Sequence, residues 1–221
     1  MKNEALIERL REVKVIFFDL DGTLIDTECL YFRFWKEAAK FYGYELSDEE
    51  ALHLRSLDGK IGKEFFKEIS GGFLDYDIVR NKRMELMNNY FLTHDIVVKD
   101  DVFSLLEKLN KEGKELYIVT ANKVEKANKI LIDTRLFPYF KGVISAKDVA
   151  NGKPAPDVYN YAKSKVDVDS KDIIVFEDSP NGVISASKAN LDVVMLVDMS
   201  EPKDDEKEYI DYLIHSFSEI L

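Results

Sequence analysis

Five short apolar runs decide what this chain can fold into. They are Val13–Phe18, Leu116–Thr120, Gly142–Ser145, Ile173–Phe176 and Val193–Val197. None shows the clean polar–apolar alternation of a strand with one wet face. Runs of this kind are buried on both sides, the setting of strands in a parallel sheet covered by helices. Helical patterns lie between them. Val102, Leu105, Leu106 and Leu109 recur at three- and four-residue spacing, and Gly113 follows as a stop signal. Strand and helix alternate, so the predicted fold class is α/β, a doubly wound, Rossmann-like parallel sheet.

The runs are unevenly spaced. Between Phe18 and Leu116 the pattern is helical throughout. Leu30, Phe34, Ala38 and Phe41 mark one helix face, and Gly43 ends it. Ser47-x-x-Glu50 is a capping box for a second helix. Phe65, Phe66 and Ile69 point to a third before the Gly71-Gly72 turn. Ile78, Val79, Leu86, Met87, Tyr90 and Phe91 point to a fourth. Connections within α/β units are usually about 2–6 residues, so this stretch is more than a connection. The expectation is a core formed by residues 1–26 and 96–221, with an inserted helical domain at 27–95. The chain has 221 residues and is 46% hydrophobic, enough for two cores. Within the insert, the aromatic stripe Tyr31, Phe34, Trp35, Phe41, Tyr42 reads as core because its spacing is helical.

Charge narrows the partners. Lys and Arg total 31 against 42 Asp and Glu, a net charge of −11, and the basic residues are scattered. Such a field repels a nucleic-acid backbone and an anionic membrane surface, so neither is expected as a partner. One cysteine, Cys29, excludes an intrachain disulfide and a CxxC metal site; it reads as a buried small apolar residue. No apolar run approaches the ~18 residues of a membrane span, and the opening MKNEALIERLRE has no signal-peptide apolar core. A cytoplasmic protein is expected.

In doubly wound sheets ligands bind beyond the carboxyl ends of the strands. The first run ends in Asp19-Leu20-Asp21-Gly22-Thr23, and the fourth in Glu177-Asp178-Ser179-Pro180. Ser179 then Pro180 reads as N-cap and first helical residue, which pins Glu177 and Asp178 to the sheet edge. If the two strands are neighbours, four carboxylates converge. They would then raise a pKa strongly or bind a divalent cation, and all-oxygen ligands favour Mg²⁺. The second run ends in Thr120-Ala121-Asn122, a hydroxyl and an amide suited to phosphate oxygens together with backbone N–H groups. After the third comes Gly152-Lys153-Pro154-Ala155-Pro156-Asp157, where prolines restrict the backbone around a lysine able to offset ligand charge. In the insert, Arg55, Lys60 and Lys63 are the cationic candidates, with Arg55 placed to grip a second anionic group on a substrate. His53, His94 and His215 form no ligand spacing.

This constellation resembles the haloacid-dehalogenase-like phosphotransferases. Asp19-Leu20-Asp21-Gly22-Thr23-Leu24 looks like their first motif, Thr120 the second, Lys153 the third and Glu177-Asp178 the fourth. The helical insert lies where that superfamily has its C1-type cap. Gly-Lys-Pro-Ala-Pro-Asp and Phe-Glu-Asp-Ser-Pro-Asn-Gly-Val look most like the β-phosphoglucomutase-like and phosphoglycolate-phosphatase-like branch. The resemblance implies that Asp19 is the nucleophile and forms an aspartyl-phosphate. Asp21 would be the general acid and base and would lend its carbonyl to Mg²⁺. Asp178 with Glu177 would complete the metal site, Thr120 would bind the phosphoryl group, and Lys153 would neutralise charge. Mutases of the branch carry a histidine just after the first motif, where this chain has Tyr31. Phosphonate- and carbon–halogen-cleaving members lack the acid present here as Asp21. Asn190 stands where a glycine is frequent, a position asparagine tolerates.

The sequence therefore predicts a Mg²⁺-dependent phosphatase of a small phosphorylated metabolite, acting as a monomer. A β-phosphoglucomutase-like phosphohexomutase is the alternative, followed by a catalytically idle module that binds phosphorylated ligands.

Overall fold

The structure, a computed structural model, describes residues 2–54 and 59–221, and for Lys60 the backbone alone. It divides into two compact units, Met1–Asp26 with Val97–Leu221, and Thr27–Ile96.

The first unit holds a six-stranded, all-parallel sheet. Its strands are β1 (Val15–Phe18), β2 (Glu115–Thr120), β3 (Gly142–Ser145), β4 (Ile173–Glu177), β5 (Asp192–Leu196) and β6 (Tyr212–Ile214), in the order β3-β2-β1-β4-β5-β6. The strand order reverses between β1 and β4, which makes that junction the topological switch point. β1 and β4 are buried along their whole length, as their unbroken apolar runs require. Side chains leave the two faces alternately. Val15, Phe17 and Val175 join a core with Val158, Tyr159 and Ala162 of α8 (Asp157–Lys163) and with Val183 and Ala186 of α9 (Pro180–Lys188). On the other face Phe18 stacks on Phe176 with ring centres 4.9 Å apart, and Phe176 meets Phe217 at 6.0 Å. The remaining helices of this unit are α1 (Glu4–Glu12), α6 (Val102–Lys111) and α7 (Val124–Asp133). Gly113 ends α6 at a φ of 77°, and Asn190 takes a φ of 55° after α9. Both are the left-handed terminations predicted for them.

The start of β1 shifts by two residues from expectation, and one strand was not expected at all. Val13 caps the C-terminus of α1 instead of opening β1, because its N–H still bonds Arg9 in the last turn. β6 has no counterpart among the five apolar runs. It is a three-residue edge strand, half-buried at Tyr212 and Leu213, so it never needed a continuous apolar run.

Among the described residues the second unit holds four helices, α2 (Glu28–Phe41), α3 (Asp48–Leu54), α4 (Gly59–Ile69) and α5 (Tyr76–Tyr90). The Ser47–Glu50 capping box forms: the Glu50 carboxylate accepts from the Ser47 N–H at 2.8 Å, and the Ser47 hydroxyl accepts from the Glu50 N–H at 3.2 Å. Trp35, Ala38, Leu46, Phe66 and Val79 make its core. Two expectations fail here. Phe41 is 65% exposed, and Tyr42 is exposed as well, so the stripe is not covered along its whole length. Cys29 is exposed in the first turn of α2, not buried. Lys63 is paired with Asp77 at 2.6 Å. Arg55 and the Lys60 side chain lie outside the described residues. Arg83 on α5 was not anticipated: it is buried against the rings of Tyr31 and Trp35, 4.7 and 4.9 Å from their centres, and burial holds its pKa below the ordinary arginine value. Among the described residues no helix is long and apolar enough to cross a membrane.

Candidate active site

The register brings the two acidic strand ends together. Phe18 is opposite Phe176, so Asp19 leaves β1 beside Glu177, and the Asp19 N–H bonds the Phe176 carbonyl at 2.9 Å. β2 flanks β1 on its other side and carries Thr120 to the same sheet end. Asp19, Glu177 and Asp178 are all buried, and one carboxylate oxygen from each falls within 4.8 Å of the others. Asp178 is held by the buried Thr23 hydroxyl, which donates to its Oδ1 at 3.2 Å.

Asp21 departs from the expected four-acid cluster. Its carboxylate accepts the side-chain amide of Asn122 at 2.5 Å and does not enter the group of three. The turn at Gly22, with a φ of 82°, swings the chain away directly after Asp21.

Lys153 supplies the counter-charge. Its ammonium donates to Asp19 Oδ1 at 2.6 Å, to Glu177 Oε1 at 2.5 Å and to the Val119 carbonyl at 3.2 Å. That uses all three of its N–H groups. Burial alone would lower its pKa, but Asp19 and Glu177 outweigh burial and hold it above the ordinary lysine value. Burial is also the largest influence on Asp19. Lys153 opposes it, yet the carboxyl is pushed up to about 7, with the charges of Glu177 and Asp21 adding to the rise.

Tyr159, which the sequence did not single out, donates its hydroxyl to Glu177 Oε1 and lies under the Lys153 ammonium, 5.4 Å from the ring centre. Burial, then the Glu177 charge, pushes its pKa well above the ordinary tyrosine value. No pattern in the sequence marked it; its full burial with a hydroxyl that finds a partner is visible only in the structure. Glu177 Oε2 is buried with no hydrogen-bond partner among the described residues. Three buried carboxylates stand against one ammonium, and one of them has an oxygen without a donor. That donor set suits a hard divalent cation such as Mg²⁺.

Gly182 completes the packing. A Cβ there would lie 2.0 Å from Glu177 Oε2 and 2.1 Å from its Cδ. Glu177 has no room to retreat, because Lys153 and Tyr159 hold its other oxygen. Gly182→Ala is therefore expected to displace the carboxylate, destabilise the fold by about 1–3 kcal/mol and lower turnover. Thermal unfolding and steady-state rates measured on one preparation check this, and an alanine variant matching wild type in both would show that Glu177 is free to move.

Thr120 is buried and accepts the Asn122 backbone N–H at 3.2 Å, whereas Ala121 beside it is exposed. The Thr120 hydroxyl, a lysine and a carboxylate cluster thus meet at the end of the sheet. This is an arrangement for attacking an anionic centre with a carboxylate while cationic groups absorb the charge.

Known proteins with this architecture agree. Validoxylamine A 7'-phosphate phosphatase of Streptomyces hygroscopicus subsp. limoneus is 30% identical over 181 residues, 80% of this chain and 83% of that protein. The phosphorylated carbohydrates phosphatase of Thermotoga maritima is 27% identical over 182 residues, 81% and 83% of the two chains. The crystal structure of β-phosphoglucomutase from Clostridium difficile shares the fold with a TM-score of 0.74 at 17% identity, covering 95% of this chain and 93% of that one. The family model of haloacid dehalogenase-like hydrolases matches residues 16–196, from the strand that delivers Asp19 to the end of β5. By that match, and with the fold of the β-phosphoglucomutase-like members, the chain belongs to the haloacid dehalogenase-like hydrolases.

Proposed function

We propose that the protein is a Mg²⁺-dependent phosphatase that hydrolyses a small phosphorylated metabolite through an aspartyl-phosphate on Asp19. The observation that carries this reading is the position of Lys153. A buried ammonium joins Asp19 to Glu177 beside a third carboxylate, which fixes Asp19 and offsets its charge at the sheet end. The phosphatase names of the two relatives support a sugar phosphate or similar monoester as the substrate class.

Asp19 attacks phosphorus, and the bond to the leaving oxygen breaks as Asp21 protonates that oxygen. Asp21 then takes a proton from water, the water oxygen attacks the aspartyl-phosphate, and inorganic phosphate leaves with Asp19 restored. Thr120 donates to a phosphoryl oxygen, and Lys153 spreads its charge over Asp19 and the phosphoryl group. Asp19, Asp178, Glu177 and the Asp21 carbonyl would hold Mg²⁺, which supplies charge neutralisation and orientation for the phosphoryl group. The helical unit Thr27–Ile96 is the module from which substrate selection comes, with Arg55 available for a second anionic group. Tyr31 at the position of the mutase histidine favours water over a sugar hydroxyl as final acceptor.

The test is phosphate release from a panel of sugar phosphates, phosphoglycolate, nucleotides and p-nitrophenyl phosphate, with Mg²⁺ and with a chelator. Turnover is expected to fall by at least about 10²-fold on metal removal and to return on adding Mg²⁺. Undiminished turnover in chelator would overturn the metal reading.

A further inference from the structure

Asn122 spends every hydrogen it can donate inside the chain. One N–H of its side-chain amide goes to Asp21 Oδ2 at 2.5 Å, and the same nitrogen reaches Thr120 Oγ1 at 3.3 Å. Its backbone N–H goes to the same Thr120 oxygen at 3.2 Å. An amide NH₂ carries two hydrogens and a backbone N–H one, so no Asn122 donor remains for a phosphate oxygen. The residue is itself held. Its carbonyl accepts the hydroxyl of Ser145 at 2.6 Å, and Ser145, fully buried at the end of β3, also accepts the Lys147 N–H at 3.0 Å. The amide therefore stands on a backbone tied to the neighbouring strand.

We infer that Asn122 is a positioning residue for the acid–base step and not a phosphate ligand. Its amide bridges the Asp21 carboxylate to the Thr120 hydroxyl and sets the distance between the proton-transfer group and the phosphoryl-binding group. The inference rests on the proposed role of Asp21. Two consequences follow from the hydrogen bonding. With Thr120 Oγ1 accepting two N–H groups, its own O–H is left to act as a donor, the polarity a phosphoryl oxygen needs. Without the bridge, the Asp21 carboxylate loses its bond to the Asn122 amide, and proton delivery to the leaving oxygen loses its alignment.

A proton donor matters most for a poor leaving group and least for a good one. Asn122→Ala, and the nearly isosteric Asn122→Leu as a second variant that preserves bulk, should lower kcat/KM for an alkyl phosphate such as glucose 6-phosphate by about 30- to 100-fold. For p-nitrophenyl phosphate the loss should be within about threefold, and the inhibition constant of inorganic phosphate should move by less than about threefold. Asp21→Asn should show the same dependence on the leaving group. Asn122→Ala added to Asp21→Asn should cost nothing more on the alkyl substrate, because residues that act as one unit are not additive. Equal losses on both substrates, a phosphate inhibition constant raised tenfold, or full additivity with Asp21→Asn would each overturn the inference. If Asp21→Asn discriminates between leaving groups and the Asn122 variants do not, the positioning role fails and the acid–base role of Asp21 stands. If Asp21→Asn does not discriminate, that role fails and the inference falls with it.

Discussion

Replacing Lys153 by methionine is expected to reduce phosphatase turnover by about 10²–10³-fold and to lower the thermal midpoint of the protein at the same time. Both effects come from one geometry. The side chain is 10% exposed, and its ammonium bonds Asp19, Glu177 and the Val119 carbonyl. Methionine fills a similar volume but leaves two buried carboxylates without a cation, a loss of about 3–5 kcal/mol for a broken buried pair. For a domain of this size that is roughly 10 °C. Lys153→Arg separates the two effects. It keeps the charge, so much of the stability should return, but its planar fork cannot place three donors on three acceptors set for an ammonium, and activity should stay low. Differential scanning calorimetry with and without Mg²⁺, beside steady-state rates, makes the comparison. A methionine variant that retains a tenth of wild-type activity would remove Lys153 from the reaction.

What the sequence made legible follows from where the information sits. β1 and β4 are buried on both faces, so their identity is written in every residue, and the acids that follow them stand out because charge is rare after such a run. Ser179 and Pro180 fix where α9 begins, and the Ser179 hydroxyl does accept the Gly182 N–H at 3.2 Å. β6 was not legible, because a half-buried edge strand of three residues carries too little pattern. The site divides in the same way. Strand order and register put Asp19 beside Glu177, an adjacency the sequence left conditional on the two strands being neighbours. The turn of Asp21 toward Asn122 depends on one positive-φ glycine and a side-chain rotamer, neither of which has a periodic signature. Tyr159 was hidden for a related reason. It stands in no motif, and only the three-dimensional packing shows that its hydroxyl ends on Glu177. Cys29 and Phe41 went the other way: apolar residues in a small helical unit were assigned to its core and lie at its surface, where single exposed apolar residues are ordinary.

Asp19→Asn is expected to change activity and stability in opposite directions. Activity should fall by about 10⁴-fold or more, since an amide cannot form the acyl-phosphate. Stability follows from the Asp19 carboxyl, raised from 3.8 to about 7 chiefly by burial. Between those two values the folded protein binds a proton that the unfolded chain has released. The folded state is therefore favoured at the acid end, and this advantage is lost as pH rises through about 7. Asparagine never ionises and escapes the loss. In chelator, the midpoints of variant and wild type should lie close together near pH 4 and diverge up to pH 8. The asparagine variant should end higher by about 2–4 kcal/mol, or roughly 5–15 °C. Mg²⁺ should then raise the wild type more than the variant, because the ion binds the folded protein through the carboxylate that the variant lacks. A variant less stable than wild type at pH 8 in chelator would mean that the Asp19–Lys153 pair holds the fold together. A gain in stability with activity gone would mean that the fold carries Asp19 at a cost, the mark of a carboxylate kept in place for its chemistry.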